Sequence, residues 1–133
     1  MFNRIFQDCS GSIDQLEGSV VSALYTLDDA NTGNIFLIWL QVAPSNKWYR
    51  IFIDGWYCGI DAYEECMVED DKDDDVLVQN LTSEYENQSI VTVQVSDPRK
   101  PNYHIVLSIQ FQTSSIELVC KAVDGDCVLV KNA

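Results

Sequence analysis

The chain has 133 residues, a formal net charge of −13, 47% hydrophobic residues and 11% aromatic ones. That length fits one domain of ordinary size, and the apolar content supports a packed core, which argues against wholesale disorder. The charge excludes partners that require a basic surface, namely DNA, RNA and anionic lipid, and turns expectation toward cationic partners.

No apolar run approaches the ~20 residues of a membrane helix. The longest, Ile35 to Leu40, is the size of a strand. The start, Met1-Phe2-Asn3-Arg4-Ile5-Phe6-Gln7-Asp8, lacks the basic-then-apolar layout of a secretory signal, so a cytoplasmic protein without membrane attachment is expected. The five cysteines, Cys9, Cys58, Cys66, Cys120 and Cys127, fit no disulfide scaffold and are expected to be reduced thiols.

In chain order, Ser12-Ile13-Asp14-Gln15 resembles a capping box, so a short turn or helix is expected up to Glu17, followed by a strand over Val20–Leu27. Asp28 to Asn34 carries turn chemistry. Ile35–Val42 is a nearly unbroken apolar run, which predicts a central strand buried on both faces. Ala43-Pro44-Ser45-Asn46 is a hairpin-length turn into a strand over Trp48–Asp54. On that strand Trp48, Arg50 and Phe52 share one face, and Tyr49, Ile51 and Ile53 the other. Gly55 breaks the strand, and Trp56 to Ala62 reads as a short third strand after a bend.

The apolar period is then lost. Asp61, Glu64, Glu65, Glu69, Asp70, Asp71, Asp73, Asp74 and Asp75 place nine of the chain's 21 acids in fifteen positions, opposed only by Lys72. Like charges this dense predict an exposed loop or short helix over 61–75. Val76-Leu77-Val78 begins a further short element, and Thr82 to Ser89 is turn-like. Strands are expected over Ile90–Val95, with Val91, Val93 and Val95 on one face, and over Tyr103–Gln112, with Ile105, Leu107, Ile109 and Phe111 together. A loop with Pro98 and Pro101 joins them. Ile116, Leu118, Cys120 and Ala122 line the next strand, and Asp124-Gly125-Asp126 signals a hairpin before Cys127–Val130. The fold class is therefore mainly β or α+β: a single antiparallel sheet or meander with one or two short helices, in one domain spanning 1–133.

No catalytic signature stands out. An EF-hand frame started at Asp71 puts Val76 at the sixth position and Thr82 at the twelfth, and a frame at Asp29 puts Leu40 at the twelfth, so both fail. The cysteine spacings are too wide for a zinc knuckle, and no Walker, Gly-x-Gly-x-x-Gly or Gly-x-Ser-x-Gly motif is present. The lone His104 sits in a strand pattern, and a nucleophilic pairing with Cys58 has no local support. No cofactor, metal or catalytic residue is predicted, and the chain is read as a non-enzyme.

What remains is the acid run. Carboxylates along a segment resemble phosphates along a nucleic acid and suit a basic protein, with Trp56 and Tyr57 just upstream as the residue types that anchor interfaces. The bland alternative is a solvated loop. In size, charge and strand pattern the chain is similar to small acidic immunity proteins that bacteria pair with secreted toxins. This likeness implies an inhibitor of a basic partner, such as a toxin domain. Two other readings are a phage-type nucleic-acid mimic that inhibits a DNA-binding enzyme, and a small ligand-binding protein or enzyme using the aromatic strands. For the inhibitor readings, neutralising Asp70, Asp71, Asp73, Asp74 and Asp75 together is expected to weaken binding and leave the fold intact.

Overall fold

The computed structural model of the chain describes residues 2–55, 57–97, 103–121 and 126–133, with Tyr103 and His104 described in backbone alone. Trp56, the Pro98–Pro101 loop, Ala122, most of the Asp124–Asp126 hairpin signal and the His104 side chain lie outside the described residues.

The strands are β1 (Phe2–Asp8), β2 (Gly11–Ser12), β3 (Val20–Asp29), β4 (Ile35–Ala43), β5 (Trp48–Asp54), β6 (Tyr57–Tyr63), β7 (Val76–Asn80), β8 (Ile90–Ser96), β9 (Tyr103–Phe111), β10 (Ser115–Lys121) and β11 (Cys127–Asn132). A one-turn helix, α1 (Thr82–Tyr85), and two 3-10 turns, Asp14–Leu16 and Val68–Asp71, complete the order. The mainly β, antiparallel architecture matches expectation, but the strands divide between two sheets. One has six strands in the order β1-β6-β5-β4-β3-β7, the other five in the order β11-β10-β9-β8-β2. The consecutive runs β3 to β6 and β8 to β11 are the meanders implied by short turns.

The two sheets share one core. Leu24, Ile38, Leu40, Tyr49, Ile51 and Ile60 of the six-stranded sheet belong to the same buried cluster as Val93, Val95, Ile105, Leu107, Ile109, Phe111, Ile116 and Leu118 of the five-stranded one. Alternation explains both sets, since every second side chain of a strand faces the same way. The β4 run, apart from the 38% exposed Phe36, is buried on both faces because it lies in the interior of its sheet: Ile38, Leu40 and Val42 join the shared core, while Leu37 and Trp39 join a second cluster on the opposite, outer face.

Three local readings change. The stretch before Glu17 contains β1 as well as the 3-10 turn, and the β1 pairing with β6 shifts register between Arg4 and Phe6, which breaks the alternation that marks a strand. On β8 a register shift between Ile90 and Thr92 turns Val91 outward, so Ile90, Val93 and Val95 form the buried face. Asp61 to Tyr63 belong to β6 and not to the loop that follows.

Asp28 is the acid that the fold buries near the end of β3. It is 5% exposed and accepts a hydrogen bond from Gln79 Nε2 of β7 at 2.6 Å. Burial raises its pKa above the ordinary carboxylate value, while Thr26 and Gln79 pull the other way. The folded state therefore holds this proton more tightly than the unfolded chain does. The residue's contribution to stability falls as pH climbs through the window above the ordinary value and stays low at neutrality. Asp28→Asn removes the titration while keeping an acceptor for Gln79. Its melting midpoint, measured by thermal unfolding, should rise relative to the parent between about pH 4 and about pH 7; a difference independent of pH would contradict this account.

Candidate functional site

The outer face of the six-stranded sheet carries the charged and aromatic side chains that the core face cannot hold. Register places Tyr25 opposite Trp39, Trp39 opposite Arg50, Arg50 opposite Asp61, and Asp61 opposite Arg4. One continuous row thus crosses β3, β4, β5, β6 and β1. Beside it Trp48 pairs with Tyr63, and Tyr63 with Phe2. The rings contact one another: Trp39–Tyr63 centroids lie 5.1 Å apart, Phe2–Tyr63 5.5 Å, and Tyr25 stacks on Trp48 at 6.0 Å.

The charges in this row are paired. Asp61, 2% exposed, forms an ion pair with Arg4, and that hydrogen bond is the main reason the Arg4 pKa rises. A carboxylate held so deep needs such a partner. The Arg4 and Arg50 guanidiniums both lie over the Phe52 ring, at 5.1 and 5.4 Å from its centroid. The ring has room because it covers Gly59, its cross-strand neighbour: a Cβ there would stand 2.8 Å from Phe52 Cε2.

The acid segment folds back over this face. Met67, Val68 and Val76 pack against the cluster of Leu27, Leu37 and Trp39. Asp71, in the 3-10 turn, accepts hydrogen bonds from Trp39 Nε1 at 3.1 Å, Arg50 Nε at 3.2 Å and Arg50 Nη2 at 3.1 Å. The segment is therefore amphipathic: an apolar underside, one inward carboxylate, and an outer side of acids. Glu64, Glu65, Glu69, Asp70, Asp73, Asp74 and Asp75 are exposed. Lys72 neutralises part of this surface through an ion pair with Glu69 at 2.8 Å.

The predicted site residues separate into groups. Those seven acids are exposed along the segment, while Asp71 and Asp61 are structural pins on the sheet below. Tyr57 lies at the far end of β6, roughly 20 Å of strand from the start of the acid run. It donates a hydrogen bond to Asp54 at 3.1 Å and packs edge-on against Phe52 at 6.4 Å. The aromatic residues that accompany the acids are instead Trp39, Tyr63 and the exposed Phe2, which sequence reasoning did not select. Arg50 was the available signal, since a lone cation between Trp48 and Phe52 on one strand face requires an anionic partner.

Between the segment and the sheet is a cleft of about 290 Å³ lined by Phe2, Arg4, Trp39, Arg50, Asp61, Tyr63, Met67, Asp70 and Asp71. Burial raises the Tyr63 phenol pKa; Arg50 opposes the shift, and Asp61, Asp71 and Asp70 reinforce it. A second hollow of about 360 Å³ borders Tyr63, Glu64, Glu65 and Met67.

Cys58, Cys120 and Cys127 stand apart from this face, in the core between the sheets. The five cysteines form no disulfide among the described residues. Burial pushes the Cys58 thiol up to about 12. Cys127, packed against Cys120 across the β10–β11 pair, is likewise raised to about 12. Neither supplies thiolate near neutral pH. Among the described residues, no group of three or more His, Cys, Asp or Glu side chains is arranged to hold a metal, and no helix is long and apolar enough to cross a membrane.

Two outcomes follow from this geometry. Asp71→Ala leaves the Trp39 indole and the Arg50 guanidinium without their acceptor and should cost about 2 kcal/mol in chemical denaturation. Protease cleavage within 64–75 should accelerate, and Asp71→Asn, which keeps an acceptor, should lie between the variant and the parent. In native protein at mildly alkaline pH, iodoacetamide should label the half-buried Cys9 and Cys66 well before Cys58 and Cys127, as read by peptide mass spectrometry. Comparison with protein-family models, curated proteins and solved structures returns no match to this chain.

Proposed function

We propose that the protein is a non-enzymatic binding protein that neutralises a basic protein partner through the acid segment, in the manner of an immunity protein bound to a toxin domain. One observation carries this reading. The exposed carboxylates sit on a segment that is pinned to the sheet by Asp71 on Arg50 and Trp39, and by Met67, Val68 and Val76 on the outer cluster. A tethered array of like charges holds its geometry in the absence of a partner, so less ordering entropy is lost on association. Its field raises the encounter rate with a cationic surface. Phe2, exposed beside Tyr63, adds apolar area of the kind that anchors interfaces.

A second reading, a small-ligand site, is favoured by the polar cleft next to Phe2 and Tyr63. Its two arginines are already engaged, Arg4 with Asp61 and Arg50 with Asp71, so an anionic ligand would have to displace a carboxylate from its partner. The protein-partner reading needs no such displacement.

The test is a basic partner co-purified from the native cell and then remade as pure protein. Affinity measured by calorimetry should fall at least about tenfold as salt is raised from low to well above physiological strength. Asp70→Asn, Asp73→Asn, Asp74→Asn and Asp75→Asn combined should weaken binding about as much, with the melting midpoint retained. Asp71 is left in place because its removal would release the segment. Affinity unchanged by salt and by the combined variant would refute the proposal.

A further inference from the structure

The six-stranded sheet ends at β7, whose only strand neighbour among the described residues is β3. Backbone hydrogen bonds show which groups that pairing uses. Leu81 N–H donates to Leu24 C=O at 2.8 Å, and Ala30 N–H donates to Asp75 C=O at 2.8 Å. Both pairs fall in the same register as Leu77 with Asp28 and Gln79 with Thr26. In an antiparallel ladder bonded and non-bonded pairs alternate, so Leu77 and Gln79 direct their N–H and C=O groups toward β3, between the Asp75 C=O at one end and the Leu81 N–H at the other. Val76, Val78 and Asn80 direct theirs away. The Val76 N–H is taken by Asp73 C=O at 3.2 Å; among the described residues that leaves the Val76 C=O and the Val78 and Asn80 groups as the open edge.

Proteins blunt such edges with charges, bulges, prolines or short length. The other three edges here are blunted. β1 carries a register shift and Arg4; β2 has two residues; β11 carries Lys131, ion-paired to Glu84 at 3.0 Å. β7 has none of these devices. Val-Leu-Val-Gln-Asn is uncharged, its register with β3 is unbroken, and Leu77 is 56% exposed. Its one guard is the trio Asp73, Asp74 and Asp75 immediately before it. Together with the net charge of −13, this trio opposes pairing with a second copy and selects for a cationic strand.

We propose that β7 is a strand-addition edge, on which an extended segment of the partner bearing lysine or arginine pairs with the Val78 and Asn80 backbone while its charges meet Asp73, Asp74 and Asp75. The proposal rests on the reading of a basic partner and specifies how that partner docks. Main-chain hydrogen bonds would supply registry and the aspartates selectivity.

The probe is a peptide of about eight residues alternating lysine with valine or threonine, set against the same peptide with glutamate for lysine. On saturation with the lysine peptide, amide exchange followed by NMR should slow at Val78 and Asn80, and the glutamate peptide should leave both unchanged. Val78→Pro removes an N–H that faces away from β3 on an edge strand, a position where proline is tolerated, and should weaken peptide binding at least about fivefold while the protein remains folded. If Val78→Pro lowers folding stability, the exchange measurement on unaltered protein decides. Three results would overturn the inference: no binding, binding without protection at Val78 and Asn80, or protection that grows with protein concentration in the absence of peptide, which marks self-pairing. Binding that survives Val78→Pro but is lost with Asp73→Asn, Asp74→Asn and Asp75→Asn would refute strand addition alone and leave the acid-surface reading standing.

Discussion

The Asp71 carboxylate, shared between the Trp39 indole and the Arg50 guanidinium, is the contact on which the surface of this protein depends. Like charges packed into fifteen positions repel one another, and a segment carrying them would by default extend into water. Here Asp71 is turned inward and placed on a bidentate cation whose planar donors match a carboxylate. That pin, helped by the apolar underside of Met67, Val68 and Val76, converts a repelling chain into an ordered cover over the outer sheet face.

The cover in turn accounts for the composition of that face. A sheet in a two-layer fold normally buries one face and leaves the other wet. In this protein the outer face is half dry: Trp39 is fully buried there, along with Leu27 and Leu37. Polar groups remain in the same layer only because each has a partner. Asp61 sits with Arg4, Arg50 with Asp71, and both guanidiniums rest on Phe52, whose ring lies over Gly59. Removing one member of such a set exposes its partner's desolvation cost, so the row behaves as a unit.

The same geometry divides labour among the acids. Asp71, facing the sheet, holds the segment in place, and the acids facing water set the electrostatic potential of its outer side. Chain order places the start of β7 directly after the densest acids, so the least guarded strand edge lies next to the strongest local negative charge. Charge and open backbone are thus presented side by side.

By itself the sequence determined the strands with a clean two-residue period, because alternation reports which face of a strand is dry regardless of what covers it. β9 and β10 were legible in this way; β4 was legible from its unbroken apolar run, β5 from its aromatic and β-branched residues after a turn, and the exposure of most of the acid run from its charge density. Alternation does not say which strands share a sheet, so the division into two layers was left to tertiary structure. β1 escaped notice because its pairing shifts at Arg4 and Phe6, and Val91 was misplaced because a bulge displaces it. Nor could the sequence separate Asp71 from Asp70 or Asp73, which are the same residue type in the same run. That choice was made by the β4–β5 register, which sets Trp39 beside Arg50 and so creates a seat for a single carboxylate. Local chemistry fixed what each residue is able to do, and only the long-range pairing of strands decided which residue does it.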